Sequence, residues 1–543
     1  MIIKQTAQPE KRTVPNRGNI GEGARKIIED MLLLEKPTPR DLDRIKIRTS
    51  RDLQLRRILS NADIIARLTA AEKEKLIPVL RRKPVRTISG IAVIAVMTKP
   101  ASCPHGRCAY CPGGPEQGVP QSYTGHEPAA MRGAQNKYNS YRQVRSRLRQ
   151  LQDIGHDVDK SEIIIMGGTF PATPLAYQHS FLKGCLDGLI GRRTRNTAEA
   201  IRLAESSRIR NVGITVETRP DCVDEARIED LLSMGITRVE IGVQNIYDDI
   251  YELVHRSHRV KDVVIATRLL KDSGLKVCYH MMPGLPGSNP QRDLEGFKAI
   301  FRDEKYKPDM LKIYPCLVLR ETELYDWWRE GKYKPYSDDE AAELIKQVKA
   351  ITPPWIRIMR VQRDIPSNLI AAGIRHSNLR ELARRRLSED GGECRCIRCR
   401  EIGYRKTPVE TIPALENLRL RRIEETASRG TEVFLSYENE GFMTGFLRLR
   451  IPSDEAHRLE IRDCSASLVR ELRVLGQAVP LGRIYLKQWQ HRGLGSRLLS
   501  EAEKIAEEDF DRKKVVVTSA IGTRNYYRRL GYKQEGPYMS KRL

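Results

Sequence analysis

Between residues 85 and 365, six β-like runs alternate with helix-like stretches, and this alternation narrows the fold more than any other feature of the chain. The runs are Ile91–Met97, Glu162–Met166, Gly213–Glu217, Arg238–Val243, Lys276–Met281 and Leu311–Tyr314. Strands joined by helical crossovers lie parallel, because each crossover returns the chain to the same end of the sheet. Each run ends in a polar or glycine-bearing turn. In order these are the loop beginning at Cys103, Gly167-Gly168-Thr169, Thr218-Arg219-Pro220-Asp221, Gln244-Asn245, Met282-Pro283-Gly284 and Pro315-Cys316. In a parallel βα barrel such turns converge on one face, at the strands' C-terminal ends. Six units rather than eight predict a partial, open barrel with room for a bulky substrate.

Six of the eleven cysteines fall into two triplets, Cys103, Cys108 and Cys111, and Cys394, Cys396 and Cys399. Cys185, Cys222, Cys278, Cys316 and Cys464 are scattered among apolar neighbours, where a thiol reads as a small core residue. Bunched thiols point to metal or cluster ligation. The first triplet, Cys103-Pro-His-Gly-Arg-Cys108-Ala-Tyr-Cys111, follows a strand-like run. Three thiolates on one loop can hold three irons of a [4Fe–4S] cluster and leave the fourth iron open to an exchangeable ligand. A zinc loop with a distant fourth ligand is the alternative. The second triplet, in an arginine-rich linker, predicts a structural zinc site that needs a fourth ligand. Cys316 is favoured for that place and His376 is the alternative; free thiols or a second cluster are the other options.

From about residue 410 the pattern changes. Glu432–Ser436, Gly441–Leu449, Ser467–Leu475, Arg483–Leu486 and Lys514–Thr518 read as strands, the early ones in antiparallel succession. Gln490-His-Arg-Gly493-Leu-Gly495-Ser-Arg precedes an amphipathic helix through Leu498, Leu499, Ala502 and Ile505. Glycines there leave backbone amides free at a helix N-terminus, which suits a pyrophosphate.

Lys plus Arg number 95 against 70 Asp plus Glu, a formal net charge of +25, which favours a polyanionic partner such as nucleic acid. Arg81-Arg82-Lys83 with Arg86, the group Arg142, Arg145, Arg147 and Arg149, and the Arg384-to-Arg400 region form three basic clusters. The first is the leading RNA-contact candidate, next to basic helices expected around residues 52–66. With only 6% aromatic residues, a stacking platform repeated along single strands is disfavoured. No apolar run nears the roughly 20 residues that span a bilayer, and no leader-like segment opens the sequence, so a cytoplasmic location is expected.

The cysteine loop resembles that of the radical S-adenosylmethionine enzymes, although their usual signature has three and then two intervening residues and this one has four and then two. With the later blocks, Cys103 to Gly114 resembles the Elongator catalytic subunits, a family of tRNA uridine acetyltransferases that pair a radical S-adenosylmethionine domain with a GCN5-related acetyltransferase domain. The resemblance runs from about residue 80 onward. It implies an α/β chain: a partial (βα)6 barrel, a GNAT domain and a basic helical N-terminal segment, divided at 1–80, 81–365, 366–409 (the zinc linker) and 410–543. It implies S-adenosylmethionine contacts at Gly168, Glu217 and Gln244, and acetyl-coenzyme A contacts at Gln490, Gly493 and Gly495. It further implies a tyrosine acting as acid toward the leaving thiol, with Tyr526 and Tyr527 both open. The implied activity places a carboxymethyl group on C5 of the wobble uridine, position 34. Hydrogen is abstracted from the acetyl methyl, the carbon radical adds to the base, and the thioester is hydrolysed. The tRNA anticodon stem-loop is the implied partner, with a second copy or accessory Elongator-like subunits. A protein lysine (histone) acetyltransferase with the barrel as scaffold is the alternative.

Overall fold

The computed structural model describes residues 20–404, 417–462, 465–476, 479 and 489–543. They form two compact units, one of residues up to 85 with 148–157, the other of 86–147 with 158–543.

The first unit contains helices α1 (Ile20–Leu32), α2 (Pro39–Asp52), α3 (Asn61–Ile65) and α4 (Ala70–Leu80). Three of them open on reciprocal caps, Thr38 with Asp41, Ser60 with Asp63 and Thr69 with Glu72. Each cap satisfies amides that a helix start leaves bare. Ile27, Ile28, Met31, Leu42, Leu76 and Leu80 close its core. The expected helix over residues 52–66 is instead broken. α2 ends at Asp52, Gln54 turns with φ 48°, and Ser60 starts α3 afresh.

In the second unit, seven parallel strands form one sheet in the order β1-β2-β3-β4-β5-β6-β7. They are β1 (Ala92–Met97), β2 (Lys160–Met166), β3 (Arg210–Thr218), β4 (Arg238–Gln244), β5 (Lys276–Met281), β6 (Met310–Ile313) and β7 (Arg357–Val361). Six match the sequence expectation within a few residues. The seventh, Arg-Ile-Met-Arg-Val, is masked in sequence by its arginines. Arg357 is nonetheless buried, because Glu401 of the following linker pairs with it at 2.7 Å. The sheet is open, with β1 and β7 at its edges.

A second seven-stranded sheet follows. Its strands are β8 (Arg419–Ala427), β9 (Gly430–Asn439), β10 (Phe442–Ile451), β11 (Ala466–Val474), β12 (Lys514–Val517), β13 (Lys533–Glu535) and β14 (Tyr538–Arg542). The run is antiparallel except at β11–β12, whose parallel pairing stops at Val469 and Val517 while β11 continues to Val474. The strand expected at Arg483–Leu486, Cys464 and the linker beyond residue 404 lie outside the described residues. Among the described residues no helix is long and apolar enough to cross a membrane.

The two sheets are joined by buried ion pairs. Arg470 of β11 donates to both carboxylate oxygens of Asp309, at 2.8 and 2.5 Å, and to Glu432 at 2.8 Å. Arg450 of β10 grips Asp272 at 2.9 and 2.6 Å and Glu432 at 3.0 Å. Arg448 donates to Glu471 and to the Trp355 carbonyl. A burial of this many charges is tolerated only because every one has a counter-charge.

Candidate functional site

The loop from Cys103 to Cys111 leaves the C-terminal end of β1, so it sits at the barrel's mouth. Neighbouring turns hold its sulfurs. Cys103 Sγ lies 3.5 Å from Thr169 Oγ1, Gln121 donates to Cys111 Sγ at 3.2 Å, and His105 Nε2 is 3.2 Å from Cys108 Sγ. Buried Arg256 points at Cys108 Sγ from 3.8 Å and donates to Tyr110 at 3.0 Å. Burial pushes the Cys111 thiol up. Burial, then Arg219 and Arg256, drives the His105 imidazole down to about 4, so it is neutral at pH 7.

The sequence-predicted contacts gather here. Gly167 adopts φ 138° and Gly168 φ 91°, and a Cβ on Gly167 would run into the Thr98 hydroxyl, so the turn after β2 requires glycine. Glu217, at the end of β3, accepts from Tyr123 Oη at 2.7 Å and from the Gly167 amide at 3.4 Å. Gln244 ends β4 with φ 66°, and its Oε1 is buried without a partner. Arg219 Nη1, Arg256 Nε, His105 Nδ1 and Gln362 Oε1 are likewise orphaned. Unpartnered buried polar atoms occur elsewhere among the described residues as well, but a ligand at the mouth could satisfy these. The residues that sequence reasoning missed, Gln121, Tyr123 and Arg256, carry no motif; only folding brings them to the cysteines.

The second triplet is tighter. The sulfurs of Cys394, Cys396 and Cys399 lie within 4.8 Å of one another, a spacing suited to one metal ion. The sulfurs of Cys103, Cys108 and Cys111 do not all come so close to one another, and a four-iron cubane spreads its thiolates further than a single ion does. Neither candidate fourth ligand joins the second triplet. Cys316 packs with Cys108, Cys111 and Tyr333 in the barrel, its thiol pushed up to about 12 by burial. His376 is largely exposed and engages Asp338 at 3.0 Å. The expectation of a Cys316 ligand is therefore corrected: the Pro315-Cys316 turn faces the barrel mouth, whereas the triplet lies beside β7 and the helix Asp338–Ile351. The buried Lys349 of that helix comes within 3.5 Å of Cys399 Sγ and supplies a counter-charge to the thiols.

In the second sheet, Gly493 caps the helix Leu494–Glu508 with φ 82°, and Leu498, Leu499, Ala502 and Ile505 are buried beneath it as the periodicity predicts. A Cβ on Gly495 would lie 3.8 Å from Val474, the last residue of β11. Gln490 is engaged within the fold. Its side chain accepts from the Val479 amide at 3.1 Å and from Lys160, and donates to the Val474 carbonyl at 3.3 Å. Only its backbone is left for a ligand. The two tyrosines separate clearly. Tyr527 is buried in the core against Tyr532, whereas the Tyr526 hydroxyl is buried without a partner and stands 2.9 Å from where a Cβ on Gly495 would be. Burial raises the Tyr526 phenol, which keeps it protonated and able to donate.

Of the basic cluster, Arg82, Lys83 and Arg86 are exposed. Arg81 is half-buried and donates to the Gly155 carbonyl at 2.9 Å, so it braces the first unit.

Family models match along the chain: the ELP3 N-terminal domain over residues 22–88, the Radical SAM superfamily over 99–296, the Radical SAM C-terminal domain over 308–389 and the acetyltransferase (GNAT) domain over 475–542. The tRNA uridine(34) acetyltransferase of Methanocaldococcus jannaschii is 50% identical over 491 residues, 89% of this chain and 90% of that protein. Elongator complex protein 3 of Homo sapiens is 44% identical over 513 residues, 93% of each chain. The solved structure of the archaeal Methanocaldococcus infernus Elp3, lacking its N-terminus, aligns with a TM-score of 0.74 at 45% identity, covering 84% of this chain and 100% of that one. A radical SAM half-barrel carrying a GNAT domain, with half its residues shared across nine-tenths of its length, places this chain in the family of the tRNA uridine(34) acetyltransferases and Elongator complex protein 3.

Proposed function

We propose that this protein modifies uridine 34 of tRNA, using S-adenosylmethionine and acetyl-coenzyme A to place a carboxymethyl group on C5 of the base. The observation that carries the reading is the pairing, within one compact unit, of a three-thiol loop at a barrel mouth with an unpartnered tyrosine hydroxyl at a coenzyme-type helix start. The tRNA substrate is taken from the names of the relatives and is in keeping with the net charge of +25.

Cys103, Cys108 and Cys111 would hold a [4Fe–4S] cluster; they fall within the radical SAM match at 99–296, which excludes the second triplet. When bound, the cluster and S-adenosylmethionine supply one-electron chemistry that abstracts hydrogen, and acetyl-coenzyme A supplies the two-carbon group. Glu217, held by Tyr123 and Gly167, is oriented to accept from ribose hydroxyls. Gln244 Oε1, at the end of β4, offers a further acceptor. The amides at Gly493 and Gly495 would face the pyrophosphate, and Tyr526 Oη would protonate the departing thiolate. Cys394, Cys396 and Cys399 would bind zinc as three thiolates, bracing the linker against β7, with a fourth position to be filled by a further ligand. With the chain divided at residues 80, 365 and 409, the N-terminal helices and the exposed Arg82, Lys83 and Arg86 just beyond them would contact tRNA.

The test is anaerobic incubation with tRNA, reductant, S-adenosylmethionine and acetyl-coenzyme A, followed by mass spectrometry of the wobble nucleoside. A carboxymethyl mass increment on uridine 34 is expected. An unmodified nucleoside together with acetylation of a histone peptide would replace this reading with the lysine acetyltransferase one.

A further inference from the structure

A groove beside the cysteine loop has the chemistry of a nucleobase site. The chain leaving β6 and the chain leaving β7 meet in a two-stranded sheet, Val318–Leu319 against Ile370–Ala372. Both segments follow the C-terminal ends of barrel strands, so the sheet stands on the mouth face. The helix Glu323–Arg329, Glu-Leu-Tyr-Asp-Trp-Trp-Arg, follows the first of them. Its Leu324 amide donates to the Ala109 carbonyl, between Cys108 and Cys111, at 3.0 Å. Arg107 of the loop in turn donates to the Glu321 carbonyl. Tyr325, Trp328 and Ala371 pack on the same apolar cluster as Cys108 and Cys111. The groove is thus built on the cysteine loop and moves with it.

Between helix and sheet lies a cavity of about 260 Å³, lined by Arg320, Tyr325, Trp328, Ser367, Asn368 and Arg375 among others. Tyr325 and Trp328 are half-buried neighbours, ring centroids 5.7 Å apart and tilted by 44°. Each therefore keeps part of its surface for an outside group. Arg320 is exposed and makes no hydrogen bond or ion pair among the described residues. Arg375 is exposed and tethered by the carbonyls of Ile370 and Ala371 at 3.3 and 2.9 Å. No carboxylate lines the cavity, although the helix beside it carries Glu323 and Asp326. Flat π surfaces for stacking, guanidinium groups for phosphate, and Ser and Asn groups for base edges form the set that holds an unpaired nucleotide. An acidic or purely apolar occupant would leave one half of that set unused.

We propose that this groove binds an unpaired anticodon-loop nucleotide next to the uridine presented to the barrel, and so sets that uridine's depth at the mouth. The inference rests on the tRNA reading above and adds a site to it. The experiment measures affinity of the intact protein for a synthetic anticodon stem-loop by fluorescence anisotropy. Trp328→Ala should bind about fivefold to a hundredfold more weakly, the range for loss of one base stack, and Trp328→Phe should restore most of that loss. Arg320→Gln, at an exposed position that cannot affect folding through packing, should also weaken binding and flatten its salt dependence. An abasic residue beside position 34 should cost the wild type the same factor, and cost Trp328→Ala nothing further. Wild-type binding that neither substitution weakens, or losses that simply add, would overturn the groove while leaving the tRNA reading intact. A wild type that fails to bind the stem-loop would overturn the tRNA reading and the groove with it.

Discussion

At the scale of single residues, the two adjacent tyrosines show how much a side chain's environment decides. Tyr526 and Tyr527 have the same phenol, yet one has its hydroxyl at the Gly495 helix start and the other fills the core. Tyr526→Phe should lower acetyl-coenzyme A hydrolysis about a hundredfold or more while leaving melting temperature unchanged, as loss of a general acid does. Tyr527→Ala should do the reverse, costing roughly 3–5 kcal/mol in a denaturant titration as a deleted core aromatic. Equal turnover by Tyr526→Phe and wild type would remove that hydroxyl from the chemistry. Gly495 belongs to the same argument, since a Cβ there would lie 2.9 Å from Tyr526 Oη. Gly495→Ala should therefore impair turnover by displacing the tyrosine.

At the scale of elements, the two cysteine segments are alike in sequence and different in construction. The first is a loop at the end of a buried strand, with its thiols spread, Cys103 and Cys111 supported by polar neighbours outside the loop and Cys108 by His105 within it. Replacing Cys108 by Ser should abolish iron binding and uridine modification, while acetyl-coenzyme A binding persists because the second sheet is untouched. Iron analysis and coenzyme titration of the anaerobic protein would check both. The second triplet closes on one point, beside a buried lysine. Cys394→Ser should lower zinc content and melting temperature together. Cys316→Ser and His376→Ala should leave zinc content unchanged, because neither side chain reaches the triplet; loss of zinc in either would reverse that conclusion.

At the scale of the whole second unit, the barrel and the acetyltransferase sheet are held by charge. Burial alone would raise the Asp309 carboxyl, but Arg470, Arg448 and Lys271 outweigh it and hold it far below the usual range. Glu432 is lowered in the same way by Arg470, Lys271 and Arg450. A carboxylate depressed by folding contributes stability that is present above its unfolded value, near 4, and is lost as the pH falls toward its folded one. Acid unfolding should therefore set in below about pH 4 and involve both sheets at once. Arg470→Met should cost about 3–5 kcal/mol, because Asp309 would stay buried without its partner, and Asp309→Leu in the same chain should recover part of that. A cycle of the two substitutions showing simple additivity would deny the coupling.

Much of this was legible in the chain itself. Short apolar runs alternating with helical stretches point to parallel strands, and six of the barrel strands followed within a few residues. The glycine pairs at 167–168 and 493–495 marked a turn and a helix start, where Gly167, Gly168 and Gly493 take positive φ, and the thiol spacings marked two cysteine segments, of which the second brings its sulfurs together. Tertiary structure decided the rest, because it concerned which distant groups share a space. The seventh strand hid behind Arg357 until Glu401 arrived to neutralise it. The interruption between Asp52 and Asn61 was concealed by continuous helical composition, and the Ser60 cap decided it. Cys316 was favoured for the metal because a fourth thiolate there would staple the linker onto the barrel, but the turn opens toward the barrel mouth, a direction that spacing does not encode. The same holds for which of Tyr526 and Tyr527 fills the core and for Tyr123 on Glu217. Local sequence sets conformation and chemistry residue by residue; contact between segments a hundred residues apart depends on how the sheets twist and pack, and only the folded chain carries that information.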